Sequence, residues 1–351
     1  MKFIHIADVH LGAEPQIGSV HREKRAKEIW SSLEKVIRLC EAQRIDLLLI
    51  AGDLFHRQPL KRELKELNYL FSSLSHTQVV MIAGNHDYVG KDSYYRTFAW
   101  AEHVHMLLSG EISCVEFPEY SLAVYGLSYY TREITEELYA RAFPQRRQAY
   151  EILLAHGGDE KHIPMKKEDL LGLGYDYIAL GHIHKPQQIC PGKIAYAGAL
   201  EPIDKNDTGI HGYILGELTT KGCRTKFVPA ALREYVHMKI PVQADMTGHA
   251  VRALIREKIA EKGEEHIYKI ILTGERDADI LFDVNDRDGL GNVIEIVDDT
   301  VPSYQFEKLK KQNRDNLLSQ FIESFEGSEE GSVEYRALCE GVHALMETRR
   351  G

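Results

Sequence analysis

Short apolar runs of strand length recur through the first two thirds of the chain, and five of them end directly in residues that ligate metals. FIHIA (3–7) leads to Asp8 and His10, LLLIA (47–51) to Asp53, VVMIA (79–83) to Asn85, His86 and Asp87, ILLA (152–155) to His156, and YIAL (177–180) to His182 and His184. LAVYG (122–126), IAYAG (194–198) and YILGEL (213–218) extend the series. Runs that are apolar throughout belong to sheets covered on both faces. Segments with apolar residues at helical spacing separate several of them, notably 21–43 and 60–74. The pattern predicts an α/β fold with sheet inside and helices outside. In such folds ligands collect at the carboxyl ends of strands, where the chain leaves the core and its loops converge on one edge.

Taken singly, a D-x-H or H-x-H after a strand reads as a turn with a satisfied histidine, and Asn-His-Asp as an ordinary turn. Five strand ends carrying D-x-H, GD, GNHD, H and GHIH in order read as one site. Imidazole, carboxylate and amide oxygen without thiolate suit divalent manganese, iron or zinc and disfavour a structural zinc knot. Asp8, His10, Asp53, Asn85, His156, His182 and His184 make seven donors. Seven is too many for one ion and suits two that share a carboxylate. Two ions ~3.5–4 Å apart lower the pKa of a bridging water and clamp both oxygens of an in-line displacement at phosphorus.

A length of 351 residues predicts one large domain with one or two appendages. The texture changes near residue 236, where strand, helix, strand, strand follow as VHMKIPV, GHAVRALIREKIAEK, IYKIILTGE and VIEIVDD. Domains are therefore expected at 1–235, 236–303 and 304–351. The last carries an apolar stripe of Leu317, Leu318, Phe321, Ile322 and Phe325, then a Gly/Ser break and a second helical run from 333. Together these two could close a small core of their own or dock a partner helix. Five scattered cysteines support neither a C-x-x-C zinc site nor a disulfide framework. No apolar stretch reaches 18 residues, and Asp8 and His10 sit where a secretory leader needs its apolar centre, so a cytoplasmic protein is expected. The net charge of −10 is uneven, −1 over residues 1–240 and −9 over 241–351, which leaves the first part free to carry local basic patches.

The motifs DVHLG, AGDLFH, AGNHDY, LLAHGG, GHIHKPQ and YAGALEP closely resemble the calcineurin-like metallophosphoesterases, and specifically the SbcD-type DNA repair nucleases. The resemblance covers residues 1 to about 235 and departs from the family at Ala197, where a proline is usual. It implies a four-layer α-β-β-α sandwich with a small α/β capping domain and a C-terminal helical tail that binds a coiled-coil ATPase. It also implies that one ion takes Asp8, His10, Asp53 and His184 and the other Asp53, Asn85, His156 and His182, with Asp53 as the bridge. The histidine of GNHD, His86, would be the general acid that protonates the departing alkoxide, oriented by Asp87. His56 would help position the substrate, or is a plain helix-entry histidine. A homodimer through helices at 60–74 or 93–101 is a further expectation.

The implied activity is a manganese-dependent DNA nuclease, exonucleolytic on double-stranded ends and endonucleolytic on single strands or hairpins, working with an SbcC-like ATPase. Basic and aromatic candidates for DNA contact are HREKRAK (21–27), YVGKDSYYR (88–96) and RAFPQRRQ (141–148). A small-molecule phosphodiesterase or phosphatase with the same metals, and a DNA-end scaffold whose metals only stabilise the fold, remain as alternatives.

Overall fold

A computed structural model describes the chain apart from residues 16–18, 286, 288, 315, 330 and 349–351, and apart from the side chains of 19–23 and 347. Its contacts divide into two units, Met1–Tyr235 and Val236–Gly351.

The first unit holds two six-stranded sheets. In chain order the strands are β1 (Lys2–Ile6), β2 (Leu47–Ala51), β3 (Gln78–Ile82), β4 (Val104–Met106), β5 (Ser113–Phe117), β6 (Leu122–Gly126), β7 (Tyr150–His156), β8 (Tyr177–Gly181), β9 (Gln187–Cys190), β10 (Ile194–Tyr196), β11 (Gly212–Thr219) and β12 (Gly222–Pro229). One sheet runs β12-β11-β1-β2-β3-β4 and the other β5-β6-β7-β8-β10-β9. The central strands β1, β2, β3 and β4 are parallel, as are β6, β7, β8 and β10, and antiparallel strands flank both sets.

Strand periodicity explains why these runs are apolar throughout. Leu47, Leu49 and Ala51 point between the sheets with Val80, Ile82, Val124, Ile152 and Leu154. Their neighbours Leu48 and Ile50 point outward onto the helices α1 (Ser19–Ala42) and α2 (Lys61–Phe71) through Ile29, Leu33, Leu64 and Phe71. On the outer face of the second sheet, Leu153, Ala155, Ile178 and Leu180 meet Leu170 and Leu173 of α3 (Lys167–Leu173). The layers are helix, sheet, sheet, helix, as expected. Within the first sheet β11 needs Gly216, because the Phe3 ring opposite it on β1 occupies the space that a side chain would take.

A buried ion pair ties α1 to the loop after β10. Arg25 donates to Glu201 at 2.6 Å and to the Pro202 carbonyl at 2.9 Å, while Glu201 also accepts from Ser32 and from the Leu232 backbone. Arg25 therefore leaves the list of DNA-contact candidates, whereas Lys24 and Lys27 of the same run are exposed and the side chains of 21–23 lie outside the described residues. Arg25→Met should destabilise the unit by about 3–5 kcal/mol, because Glu201 is left as an uncompensated buried charge. Calorimetry should show a fall in Tm of roughly 6–20 °C, largely recovered in the double variant with Glu201→Gln. A shift of only a degree or two would show that the pair does not hold the helix.

The second unit contains β13 (Tyr235–Val242), α4 (Gly248–Lys262), β14 (Ile267–Asp277), β15 (Val293–Asp298), β16 (Val301–Ser303), α5 (Phe306–Gln312), α6 (Leu317–Ser324) and α7 (Val333–Glu347). It has two separate apolar clusters. In one, Val251, Ile255 and Ile259 of α4 pack on Ile240, Ile270 and Leu272 of the small sheet. In the other, Leu318 and Ile322 of α6 pack on Leu338 and Val342 of α7, with Phe321 and Phe325 beside them. Apart from Leu317, which stays exposed, the apolar stripe of the tail thus closes on its neighbouring helix.

Residues 93–101 do not form the helix expected there. Only a single 3₁₀ turn, Tyr94–Arg96, is present, because Tyr95 is drawn inward to Asp87 and Arg96 bonds back to the carbonyls of Val89 and Gly90. No helix among the described residues is long and apolar enough to cross a membrane.

Candidate metal centre

The carboxyl ends of β1, β2 and β3 in one sheet and of β7 and β8 in the other meet at a single edge, and the seven expected donors converge there. Asp8, His10 and His184 have ligand atoms within 4.8 Å of one another, as do Asp8, Asp53 and His156. Asp53 Oδ2 lies 3.9 Å from His10 Nε2 and 3.4 Å from His156 Nε2, between the two groups. Asn85 Oδ1 is 3.0 Å from His156 Nε2 and 3.1 Å from His182 Nδ1.

The backbone is bent to achieve this. Asp8, His10, Asp53 and His182 have φ of 49°, 51°, 49° and 98°, a region that side-chain-bearing residues rarely enter. Such conformations cost on the order of 1–3 kcal/mol each and persist where the surroundings over-determine them. Cross-strand bonds do so here: Asp8 N–H donates to the Gly52 carbonyl, His10 N–H to the Asp53 carbonyl, and His182 N–H to both oxygens of Asp8. Gly84 of AGN is required for the same reason, since any side chain there would collide with Asp53 and His156.

Burial and mutual charge perturb the titratable donors of the cluster in opposite directions. Burial alone pushes Asp8 up, with the Asp53 charge adding to it and nearby imidazoles partly offsetting it, to about 6. Burial also acts to raise Asp53, yet His156, His10 and His86 around it hold its carboxyl well below the usual range. Burial lowers His10 far below an ordinary imidazole and His182 to about 4, whereas Asp53 and Asp8 lift His156, against its burial, to about 9. His184 Nδ1 is engaged by Asp207 at 3.0 Å, which together with the Asp8 and Asp53 charges lifts it, against its burial, to about 9, and its Nε2 lies 3.1 Å from His10 Nε2. Two imidazole nitrogens at that separation, ringed by carboxylates, fit a divalent ion better than they fit each other.

His56 and His86 lie beside these donors. Their rings stack with centroids 5.0 Å apart, and His86 sits edge-on to His10 at 4.8 Å. His86 Nδ1 is 3.0 Å from the His56 carbonyl, which can only accept, so Nδ1 carries the proton there and Nε2 is left to give or take another. The structure corrects the role expected of Asp87. Its carboxylate accepts from the backbone of Gly84 and Phe55 and from the Tyr95 hydroxyl, all within the core of the loop, and the orienting group for His86 is the His56 backbone.

Three partners were not legible as site residues. Asp159 meets His182 Nε2 at 2.6 Å, Asp207 meets His184, and the Ala51 carbonyl meets His156 Nδ1 at 2.9 Å. Acidic residues in HGGDE and KNDTG were the only sequence signal, and a carboxylate in a loop is too common to single out.

The DNA-contact candidates fare unevenly. On the loop after GNHD, Tyr94 and Lys91 are exposed while Tyr95 is buried. Arg146 and Arg147 bond to the Gly174 carbonyl, to Gln145 and to Glu116, and Glu151 at the start of β7 pairs with Arg146. That end of β7 is about 17 Å from His156 at strand rise, so Arg146 and Arg147 lie away from the donors.

The sequence profile of the calcineurin-like phosphoesterases matches residues 1–186. A Bacillus subtilis (strain 168) protein described as the uncharacterized metallophosphoesterase YhaO is 29% identical over 300 residues, 78% of this chain and 72% of that protein. The DNA double-strand break repair protein Mre11 of Methanocaldococcus jannaschii is 29% identical over 221 residues, 59% of this chain and 58% of that protein, so this chain spans less than two thirds of it. A crystal structure of a dimetal phosphatase from Danio rerio superposes with a TM-score of 0.40 at 14% identity, over 66% of this chain and 99% of that one. With more than half its length matched by the profile, and with the motif residues brought to one edge of the sandwich, this chain belongs to the calcineurin-like phosphoesterase family, whose members are hydrolases acting on phosphoesters.

Proposed function

We propose that this chain is a DNA nuclease subunit of the SbcD type that hydrolyses phosphodiester bonds with two divalent ions, manganese first among the candidates. Asp8, His10, Asp53 and His184 would hold one ion and Asp53, Asn85, His156 and His182 the other. When bound, the ions supply an attacking water of lowered pKa and charge neutralisation at phosphorus. His86 protonates the leaving oxygen from Nε2, and His56 supports its ring and positions the strand. The observation that carries this reading is the stacked His56–His86 pair beside the seven donors, one of them with a ring nitrogen left for proton transfer. His86 stands outside both assigned donor sets, and a ring nitrogen left for proton transfer weighs against the scaffold alternative.

The choice of DNA over a small phosphodiester is supported by the similarity to a double-strand break repair protein and by exposed Lys91 and Tyr94 on the loop after GNHD. An SbcC-like coiled-coil ATPase is the partner this reading implies, and Leu317 and Val333 are apolar tail residues left exposed for it. Tyr69, 80% exposed on α2, is available to a homodimer contact. The purified protein with manganese should shorten end-labelled duplex and open a hairpin. Intact DNA, with and without the ATPase, beside rapid hydrolysis of bis-p-nitrophenyl phosphate would replace the nuclease with a small-molecule phosphodiesterase.

A further inference from the structure

His156, His182 and His184 are held in two different ways. His156 and His184 give their Nδ1 to the Ala51 carbonyl and to Asp207, so each offers Nε2 to the centre. His182 is reversed. Its Nδ1 faces the centre, 3.1 Å from Asn85 Oδ1, and its Nε2 faces outward to Asp159 at 2.6 Å. Neutral imidazole has one N–H, and which nitrogen bears it is set by what the other nitrogen meets.

We propose that Asp159 is a positioning residue that fixes His182 as the Nε2–H tautomer and thereby presents Nδ1 to the same ion as Asn85 and His156. This rests on the two-ion reading above. The carboxylate is itself locked. Asp159 Oδ1 accepts from the backbone of Lys161 at 2.8 Å and of His162 at 3.1 Å, and the His162 ring closes on it at 2.9 Å while lying against His182 with centroids 4.5 Å apart. The chain reaches this position directly from His156 through Gly157 and Gly158, whose φ of 138° and 130° suit glycine, and Gly157 N–H donates to the Gly181 carbonyl just before His182. One loop thus carries one imidazole ligand and steers the other, so the two cannot be placed independently. Asp207 bears the corresponding relation to His184 on the other side of the site.

Asp159 is about half exposed, with 48% of its side chain accessible, so replacing it should leave the fold intact. Two replacements separate steering from simple loop support. Asp159→Ala removes both. Asp159→Asn keeps an oxygen for the Lys161 and His162 amides but turns an NH₂ toward His182, which favours the wrong tautomer. Metal-depleted full-length protein is titrated calorimetrically with manganese, and the metal-free form is labelled with ¹⁵N-histidine to read which nitrogen of His182 carries hydrogen. Wild type should bind two ions and show Nε2–H, because the charged Asp159 at 2.6 Å is a stronger acceptor than the neutral Asn85 oxygen at 3.1 Å. Both variants should lose 10–100-fold in affinity at one site only, and the Asn variant should shift the proton toward Nδ1. If wild type binds fewer than two ions, the two-ion reading falls and this proposal with it. If wild type binds two and the Asn variant matches it in affinity and tautomer, only the proposal is overturned.

Discussion

His86→Ala should lower the rate of DNA phosphodiester hydrolysis by roughly 10²–10⁴-fold while leaving the metal content unchanged. The separation is possible because the hydrogen bond from His86 to a donor is made by its backbone, whose N–H donates to Asp53 Oδ1 at 2.8 Å and survives the substitution, while its ring only lies edge-on to His10. The imidazole lost is the one whose Nδ1 is satisfied by the His56 carbonyl and whose Nε2 is free to act. A proton donor matters in proportion to the basicity of the leaving group. The DNA sugar oxygen is a poor leaving group, whereas p-nitrophenolate departs without protonation, so the same variant should retain most of its activity on bis-p-nitrophenyl phosphate. An equal loss on both substrates, with metal retained, would show that His86 binds the phosphate and does not protonate the leaving oxygen. Loss of metal together with activity would show that it is a ligand.

The donors were legible because each stands directly behind an apolar run, and a buried strand in this architecture is apolar on both faces. β2, with Leu47, Leu49 and Ala51 facing one layer and Leu48 and Ile50 the next, could hardly be read otherwise. Where exposure interrupts that pattern the strand disappears from view. β12 is GCRTKFVP, largely polar and exposed on alternate residues at the sheet edge, and β4 is only three residues long; neither was anticipated. Long-range pairing was equally hidden. Arg25 lies in a basic run that reads as a candidate for DNA contact, and its partner Glu201 is 176 residues away. The role of Asp87 failed for a related reason. The resemblance implied a contact with His86, but the turn sends consecutive side chains in different directions, and the carboxylate goes inward to Tyr95. Burial there, reinforced by the Asp53 charge, raises Asp87 to about 7 against the hydrogen bonds it accepts, which is the signature of a carboxyl group committed to the core. In the tail the stripe at 317–325 was visible, yet an apolar helix face says only that something covers it; the cover is α7.

Asp53→Asn should weaken both ions together, and it is the substitution best able to show that one carboxylate serves two. Most replacements at this position would confound the result, because Asp53 has φ of 49°. Asparagine is among the few residues that accept that conformation, and its amide oxygen can still receive the His86 N–H. What disappears is the negative charge whose Oδ2 lies between His10 and His156. Removing one member of a fully buried charged set costs about 3–5 kcal/mol, which corresponds to roughly 10²–10⁴-fold in affinity for each ion. Plasma mass spectrometry after gel filtration should find both ions depleted, and turnover should fall with them. Full retention of two ions would end the bridging role; loss of one would assign Asp53 to a single ion and leave Asp8, which is close to donors of both groups, as the shared carboxylate. The three variants then form a graded series in metal content. His86→Ala leaves both ions, Asp159→Asn weakens one, and Asp53→Asn weakens two, an order that follows from which atoms each side chain reaches and not from how far activity falls.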